Sequence, residues 1–557
     1  MANSKKSGSN FLVQGSILAI ASIVSRIIGL IYRIPMTDTI GDLGNSYYGS
    51  AFEVYNIMLI ISSYSLPLAV SKLVSAQMAQ KKTKMVFQIF KGALLFAVVS
   101  GAIASLVVFF GARFFSDVLL NRPNSVFALR VLAPTLLIVA VLGVFRGLFQ
   151  GMGTMIPSAI SQILEQIVNA VVSVVAAILL FGYGSRIGAV LGDETHYAAA
   201  YGAAGGTLGT NLGAVTALLF VLFVFALYMT VFRRQMKKDR HRTVEPFSQI
   251  MKMLLLTILP VLLSTTIYNI SGFLDNIVYT HIAANQGYAS DDIDVWWGVF
   301  TGKYKLMINV PISIASAMAA SSVPALTAAY GKGQMNEVRQ KLSSVIVFVM
   351  IIAIPRAVGL AVLARPIFLL LFPSTAETID TAAFMMYIGS SAVVFYCLST
   401  LSNGLLQGIN RMAVPVINAA VALVAHVLLL VVLMLFFKLN IYAVVIANIF
   451  FALLMCVLNA WALYRYSGYK QEWLRTFLLP CGCSLVMGVA AFFTYKGLFA
   501  LTESNAVSAC IAILIAVLVY GVSMILLGGI TEKELNRIPL IGRPIARLLQ
   551  RVPFLNR

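Results

Sequence analysis

Apolar residues along the chain gather into runs of roughly 20, parted by short polar gaps, with no alternation of apolar and polar positions inside the runs. About 20 apolar residues in a helix cover the hydrocarbon core of a bilayer, whereas a spanning β-strand alternates over about ten. The pattern therefore predicts helical spans, about fourteen of them. Their limits fall near 11–34, 47–79, 88–111, 127–150, 157–181, 203–231 and 252–283, then 296–329, 341–372, 378–409, 415–437, 441–465, 474–497 and 505–528. The longest polar gaps, around Gly182–Gly202 and Phe232–Met251, are too short for a soluble catalytic domain. The expected fold class is all-α: a polytopic membrane protein whose helix bundle does the work.

Cations occupy alternate gaps. Lys81, Lys82 and Lys84 lie in one, Arg233, Arg234, Lys237 and Lys238 in another, then Lys332 and Arg339, and then Arg465 and Lys470. The intervening gaps carry Asp38 and Asp42, Asp193 and Glu194, Asp291 and Asp292, and Glu377 and Asp380. Because Lys and Arg in short loops mark the cytoplasmic side, an even number of spans places both termini of this multi-pass membrane protein in the cytoplasm.

The chain also repeats itself. Gly147-Leu-Phe-Gln150-Gly151 runs into Pro157, and Gly404-Leu-Leu-Gln407-Gly408 runs into Pro415. Tyr55-Asn-Ile-Met58 pairs with Tyr304-Lys-Leu-Met307, and Arg26-Ile-Ile-Gly29 with Asn269-Ile-Ser-Gly272. Six spans per copy make a parallel repeat, with a binding cavity expected between two six-helix lobes. The expected organisation is an N-lobe at 1–231, a cytoplasmic linker at 232–251, a C-lobe at 252–465, two extra C-terminal helices within 466–528, and a tail at 529–557. Gly205, Gly209 and Gly213 in the sixth span have small-residue spacing and are read as close helix packing.

Composition agrees with this picture. The chain is 60% hydrophobic and 11% charged, against about 45–50% and 25% in a soluble protein. The net charge of +20 calls for anionic membrane lipids as partners rather than nucleic acid, since the cations sit between spans. The tail from Thr531 mixes Ile538, Ile541 and Ile545 with Arg543, Arg547 and Arg551, as an interfacial basic helix does. The apolar run after Lys5 and Lys6 continues past Ala21, which fits a span better than a cleaved signal peptide. The five cysteines lie in apolar runs, and Cys481-x-Cys483 lacks a second pair at metal-ligand spacing, so packing roles are expected. No phosphate-binding Gly-x-x-x-x-Gly-Lys loop, HExxH or paired-carboxylate constellation is present. The reading is therefore not an enzyme, with no cofactor and no metal.

Chemistry enters with charges inside the spans, where each costs about 2.5–3.5 kcal/mol even on lenient scales and marks a functional candidate. Arg26, Asp275 and Lys305 come out at similar depth on the first, seventh and eighth spans, as one polar layer in which Asp275 pairs with a cation. Arg33 lies near a span end and can snorkel or assist. Glu165 is either an ion site or a partner for a neighbouring helix, and Arg356 in the ninth span needs a partner or water. His426, alone on an apolar helix, is read as a satisfied core residue. A cavity of net positive charge selects an anionic amphiphile.

Ser25-Arg26-Ile-Ile-Gly29-Leu30-Ile31-Tyr32-Arg33, Tyr304-Lys305-Leu306-Met307 with Pro311, and Ala320-Ser-Ser-Val-Pro324 together resemble the MurJ-type lipid II flippases. The likeness is greatest to their stage V sporulation protein B and YtgP relatives, within the multidrug/oligosaccharidyl-lipid/polysaccharide exporter superfamily. The resemblance implies a fourteen-helix exporter that moves lipid-linked peptidoglycan precursor outward by alternating access. It implies cavity arginines on the pyrophosphate, with cell-wall synthesis proteins as further partners, and leaves the oligomeric state open. Arg26 matches the first-span arginine and Lys305 stands at the eighth-span position, with Arg33 assisting; Asp275, Glu165 and Arg356 are the gating or ion-coupling candidates. The second-span arginine is replaced by the sequence Ile61-Ser62-Ser63-Tyr64. Export of another lipid-linked polysaccharide unit shares the same cavity, and a cation-coupled multidrug exporter is the remaining alternative.

Overall fold

The computed structural model describes residues 2–239 and 245–529, which are helical with no strand among them. The tail expected from 531 onward and the centre of the expected linker, 240–244, lie outside the described residues. Contacts divide the chain into two compact units, Met1–Leu306 with Ala419–Ala447, and Met307–Asn418 with Asn448–Arg557.

The first unit opens with α1 (Ala2–Leu59), α2 (Leu66–Ala79) and α3 (Thr83–Arg113). It continues through α4 (Val126–Gly151), α5 (Ile156–Leu191) and α6 (Glu194–Lys238). Then come α7 (Phe247–Asn269), α8 (Ser271–Asn285) and α9 (Ser290–Val299). Next, α10 (Lys305–Gly331) passes from the first unit into the second. The second unit proceeds through α11 (Met335–Val362), α12 (Ala364–Leu371), α13 (Ile379–Gly389) and α14 (Ser391–Gly408). Most of α15 (Ala413–Leu435) and the start of α16 (Ile441–Ser467) belong to the first unit, and α17 (Leu479–Thr502) and α18 (Asn505–Leu526) complete the second.

Among the described residues, eleven helices are long and apolar enough to cross a membrane, or twelve if Pro373–Gly389 and Ser391–Gly408, bent by 54°, form one span. The difference from the expected fourteen has local causes. The first two expected spans lie in one helical run, Ile20–Ala79, broken at Gly41 (φ 69°, ψ −179°), a conformation only glycine adopts cheaply. The expected seventh span is divided between α7 and α8, which meet at Ile270. Large apolar side chains such as Phe110, Val190 and Leu501 lie 76%, 86% and 82% exposed. In a multi-pass membrane protein such faces meet lipid rather than water.

Glycine spacing fixes the closest packing. A Cβ on Gly213 would lie 2.6 Å from the Glu165 carbonyl oxygen, and one on Gly209 would lie 2.6 Å from that of Asn169. The sixth expected span therefore holds α5 by its backbone, as the small-residue stripe predicted. The repeated motif has the same use in each unit. Gly147 and Gly151 seat α4 on α2, with Pro67 O and the Val74 side chain 2.7 and 2.6 Å from the would-be Cβ atoms. Gly404 and Gly408 seat α14 on α10 against Ala319 and Leu326, at 2.7 and 3.0 Å.

Candidate functional site

A polar cavity of about 410 Å³ opens in the first unit between α1, α4 and α5. Ser22, Ser25, Arg26 and Gly29 line it from α1, and Gln162, Glu165 and Gln166 from α5. Both sets recur at three- and four-residue spacing, which puts each on one helix face. Gly29 leaves the room that Gln166 uses, since its Cβ would lie 3.6 Å from Gln166 Oε1. Arg26 is exposed to this space. Arg146 enters from α4, its Nη2 2.8 Å from Glu165 Oε2 and its Nε donating to Ser161 Oγ at 2.9 Å. Two guanidiniums and one carboxylate leave the lining with a net positive charge. Ser25 Oγ and Gln162 Oε1 are buried without a hydrogen-bond partner in the described structure.

Lys305 stands in a second polar cluster of the same unit. Its Nζ lies 3.6 Å from Glu53 Oε1 and 4.7 Å from the centre of the Phe300 ring. Glu53 Oε2 accepts from Asn276 Nδ2 at 2.6 Å, and Asn276 Oδ1 accepts from Arg122 Nη1. Arg122 Nε donates in turn to Asp294 Oδ1 at 2.6 Å. The cluster alternates in sign and is nearly closed to water: Arg122 is fully buried, and the side chains of Glu53 and Lys305 are 14% and 30% exposed. Such a chain is stable only because each charge meets an opposite charge or a hydrogen bond.

The remaining candidates separate. Arg33 is half-buried with its guanidinium 3.7 Å above the centre of the Tyr48 ring, a cation–π contact that keeps it within the protein. Asp275 is fully buried on α8, and its Oδ1 lies 2.5 Å from His426 Nε2, while His426 Nδ1 meets Ala447 O at 2.8 Å. The structure thus gives Asp275 a histidine partner and His426 a polar one. Lys303 is fully buried against Asp42 at 2.8 Å. Arg356 is half-buried on α11 of the second unit.

Sequence reasoning brought Arg26 and Glu165 forward but missed Arg146, which joins them, and Glu53, which holds Lys305. Both missed residues lie inside apolar runs, so the same burial cost applied to every charge would have found them. Arg122 and Asp294, near helix ends, carry no such signal.

Fold and site together define a multi-pass helical membrane protein with a cation-lined cavity inside its bundle. The chain belongs to the polysaccharide biosynthesis protein family, whose model matches residues 12–330, and a MatE model matches 306–432. Among curated relatives, the lipid II flippase MurJ of Bacillus subtilis is 23% identical, over 95% of this chain and 97% of that one. The stage V sporulation protein B of the same organism is 24% identical, over 96% and 99%. Among solved structures, a lipid II flippase MurJ in an inward closed conformation aligns with a TM-score of 0.60 at 16% identity, covering 91% of this chain and 97% of that one. The flippase-like fold expected from the first-span and eighth-span motifs is thus borne out along essentially the whole chain.

Proposed function

We propose that the protein is a flippase for lipid-linked glycans in the bacterial cell membrane, a transporter rather than an enzyme, with both termini in the cytoplasm. Its substrate is the undecaprenyl-pyrophosphate-linked peptidoglycan precursor, lipid II, carried from the inner to the outer leaflet by alternating access between two six-helix lobes. The observation that carries the reading is Arg26, exposed to a cavity of about 410 Å³ whose lining has net positive charge. A guanidinium offers a planar fork that a pyrophosphate matches, and the glutamines and serines beside it suit sugar and amide groups. Lys305 and Arg33 complete the anion-binding set, and Asp275, Glu165 and Arg356 serve gating or coupling. The full-length likeness to the lipid II flippase MurJ supports the same class of cargo.

No ATP is needed for direction. Moving two negative charges outward across an inside-negative ~100 mV releases about 5 kcal/mol, at ~2.3 kcal/mol per charge. The test is reconstitution in vesicles with labelled lipid II: Arg26→Ala should abolish most translocation, and wild-type rates in that variant would end the reading. A different lipid-linked polysaccharide unit would fit the same cavity. Depletion in cells separates the two, since lipid II accumulation with lysis follows from the first and loss of a surface polymer alone from the second.

A further inference from the structure

We infer that Arg146 is a second anion-binding residue of the cavity, and that Glu165 is its resident counter-ion, displaced when the substrate's phosphate arrives. This rests on the flippase reading and adds to it the exchange of one anion for another at a named side chain.

The pair is built for exchange rather than for permanent packing. Its side chains are 13% and 21% exposed, unlike the Arg122–Asp294 pair at 0% and 7%, so an incoming oxyanion can reach the guanidinium. Arg146 is aimed by the backbone beneath it. Gly147, the next residue, seats α4 on Pro67 and Val70 with no room for a side chain, and Ser161 Oγ accepts from Arg146 Nε at 2.9 Å. One edge of the guanidinium is thereby fixed while Nη2 meets Glu165.

The repeat separates function from fold. Gly147 corresponds to Gly404, so Arg146 corresponds to Asn403, which accepts a neutral hydrogen bond from Asn459 Nδ2 at 2.8 Å. Pro157 corresponds to Pro415, so Glu165 corresponds to Leu423 (157 to 165, and 415 to 423). The second copy makes the same glycine contacts, of α14 on α10, without either charge, so the seating of α4 on α2 does not require the pair. The two charges belong to the copy that also carries Arg26. While Glu165 is seated on Arg146, an arriving phosphate meets the guanidinium of Arg26, which the cavity exposes. Once it takes Glu165's place it meets that of Arg146 as well, and Arg–phosphate contacts are shorter and stronger than neutral hydrogen bonds.

The experiment measures equilibrium binding of geranylgeranyl pyrophosphate to the purified full chain in detergent, with geranylgeraniol as the uncharged control and thermal unfolding recorded for each variant. Arg146→Ala is expected to weaken pyrophosphate binding at least tenfold, while Arg146→Lys retains part of it. Glu165→Gln, which removes the competing charge, is expected to tighten binding several-fold, and the double variant Arg146→Ala/Glu165→Gln to bind no better than Arg146→Ala. Geranylgeraniol binding should not change. Should Arg146→Ala fail to fold, tighter binding by Glu165→Gln still decides the matter. Unchanged affinity in Arg146→Lys and Glu165→Gln, with Arg26→Ala weakened, would overturn this inference and leave the anion cavity standing. Unchanged affinity in Arg26→Ala as well would overturn the anion-cavity reading itself.

Discussion

Asp275 and His426 face each other with both side chains wholly buried, carboxylate Oδ1 to imidazole Nε2 at 2.5 Å. A near-equivalent contact exists in the first copy of the repeat, where Asn169 Nδ2 donates to the Tyr32 hydroxyl at 3.2 Å. Tyr32 lies six residues after Arg26, and Asp275 six after the matching Asn269; Asn169 and His426 lie twelve and eleven residues after the matching Pro157 and Pro415. One copy thus joins its first and fifth spans with neutral groups, and the other joins them with an ionisable pair.

Breaking that pair should be costly in a way that breaking its neutral counterpart is not. Removing one partner of a buried ionic contact costs about 3–5 kcal/mol, because the other is left uncompensated. His426→Ala is therefore expected to lower the unfolding midpoint in detergent more than Asn169→Ala, which loses two neutral hydrogen bonds, to Tyr32 and from Ser173, worth about 1 kcal/mol each. Asp275→Asn combined with His426→Ala should recover part of the loss. A double variant as unstable as the sum of the singles would mean that the two groups do not act as a pair.

The glycine contacts predict a second contrast. Gly147→Ala and Gly404→Ala place a methyl group 2.7 Å from Pro67 O and from Ala319 Cβ respectively, and overpacking of this kind costs about 1–3 kcal/mol. Gly182, in α5, has nothing within 4 Å of where an added methyl group would sit, and Ala is the better helix former there. Thermal unfolding should show both motif variants destabilised and Gly182→Ala unchanged or slightly raised. Equal midpoints for all three would contradict the close approach of α4 to α2 and of α14 to α10.

Period and run length carried most of the fold. Long apolar runs can satisfy their backbone only as helices, and glycine spacing told which helices approach closely. Span count differed, because the first two expected spans run on as one helical segment kinked at Gly41, and the seventh is divided after Asn269. For the site, the cost of an intramembrane charge singled out Arg26, Glu165 and Lys305. It did not say who meets whom, since Glu165 finds Arg146 and Lys305 finds Glu53 through helix rotations that no linear pattern encodes. The equal-depth estimate for Arg26, Asp275 and Lys305 carried no information on facing direction. The histidine that meets Asp275 lies 151 residues away.

Arg122 gives a third test, one of fold rather than transport. Its guanidinium is fully buried, pairs with Asp294 at 2.6 Å, and has Nη2 without a partner in the described structure. Asp294→Asn leaves that cation without its countercharge and should cost about 3 kcal/mol or more. Nearby Asp291, 68% exposed and 3.0 Å from His196, should lose less than about 1 kcal/mol as Asp291→Asn. Urea or thermal unfolding of the two single variants decides between them, and similar losses would contradict the burial of the Arg122 cluster.

Lys305 ties the site to transport. Its ammonium lies 3.6 Å from Glu53 and over the Phe300 ring, where a cation is partly desolvated and attracts a phosphate more strongly than it would in water. Lys305→Met removes that charge while keeping the apolar stem, and should lower lipid II translocation in vesicles by about tenfold, the equivalent of 1.4 kcal/mol. Lys305→Arg keeps the charge and supplies a bidentate fork, so it should transport at or above the wild-type rate. If the arginine variant is as slow as the methionine one, shape around Phe300 rather than charge sets the rate. In that case Lys305 is a partner for Glu53 and does not hold substrate.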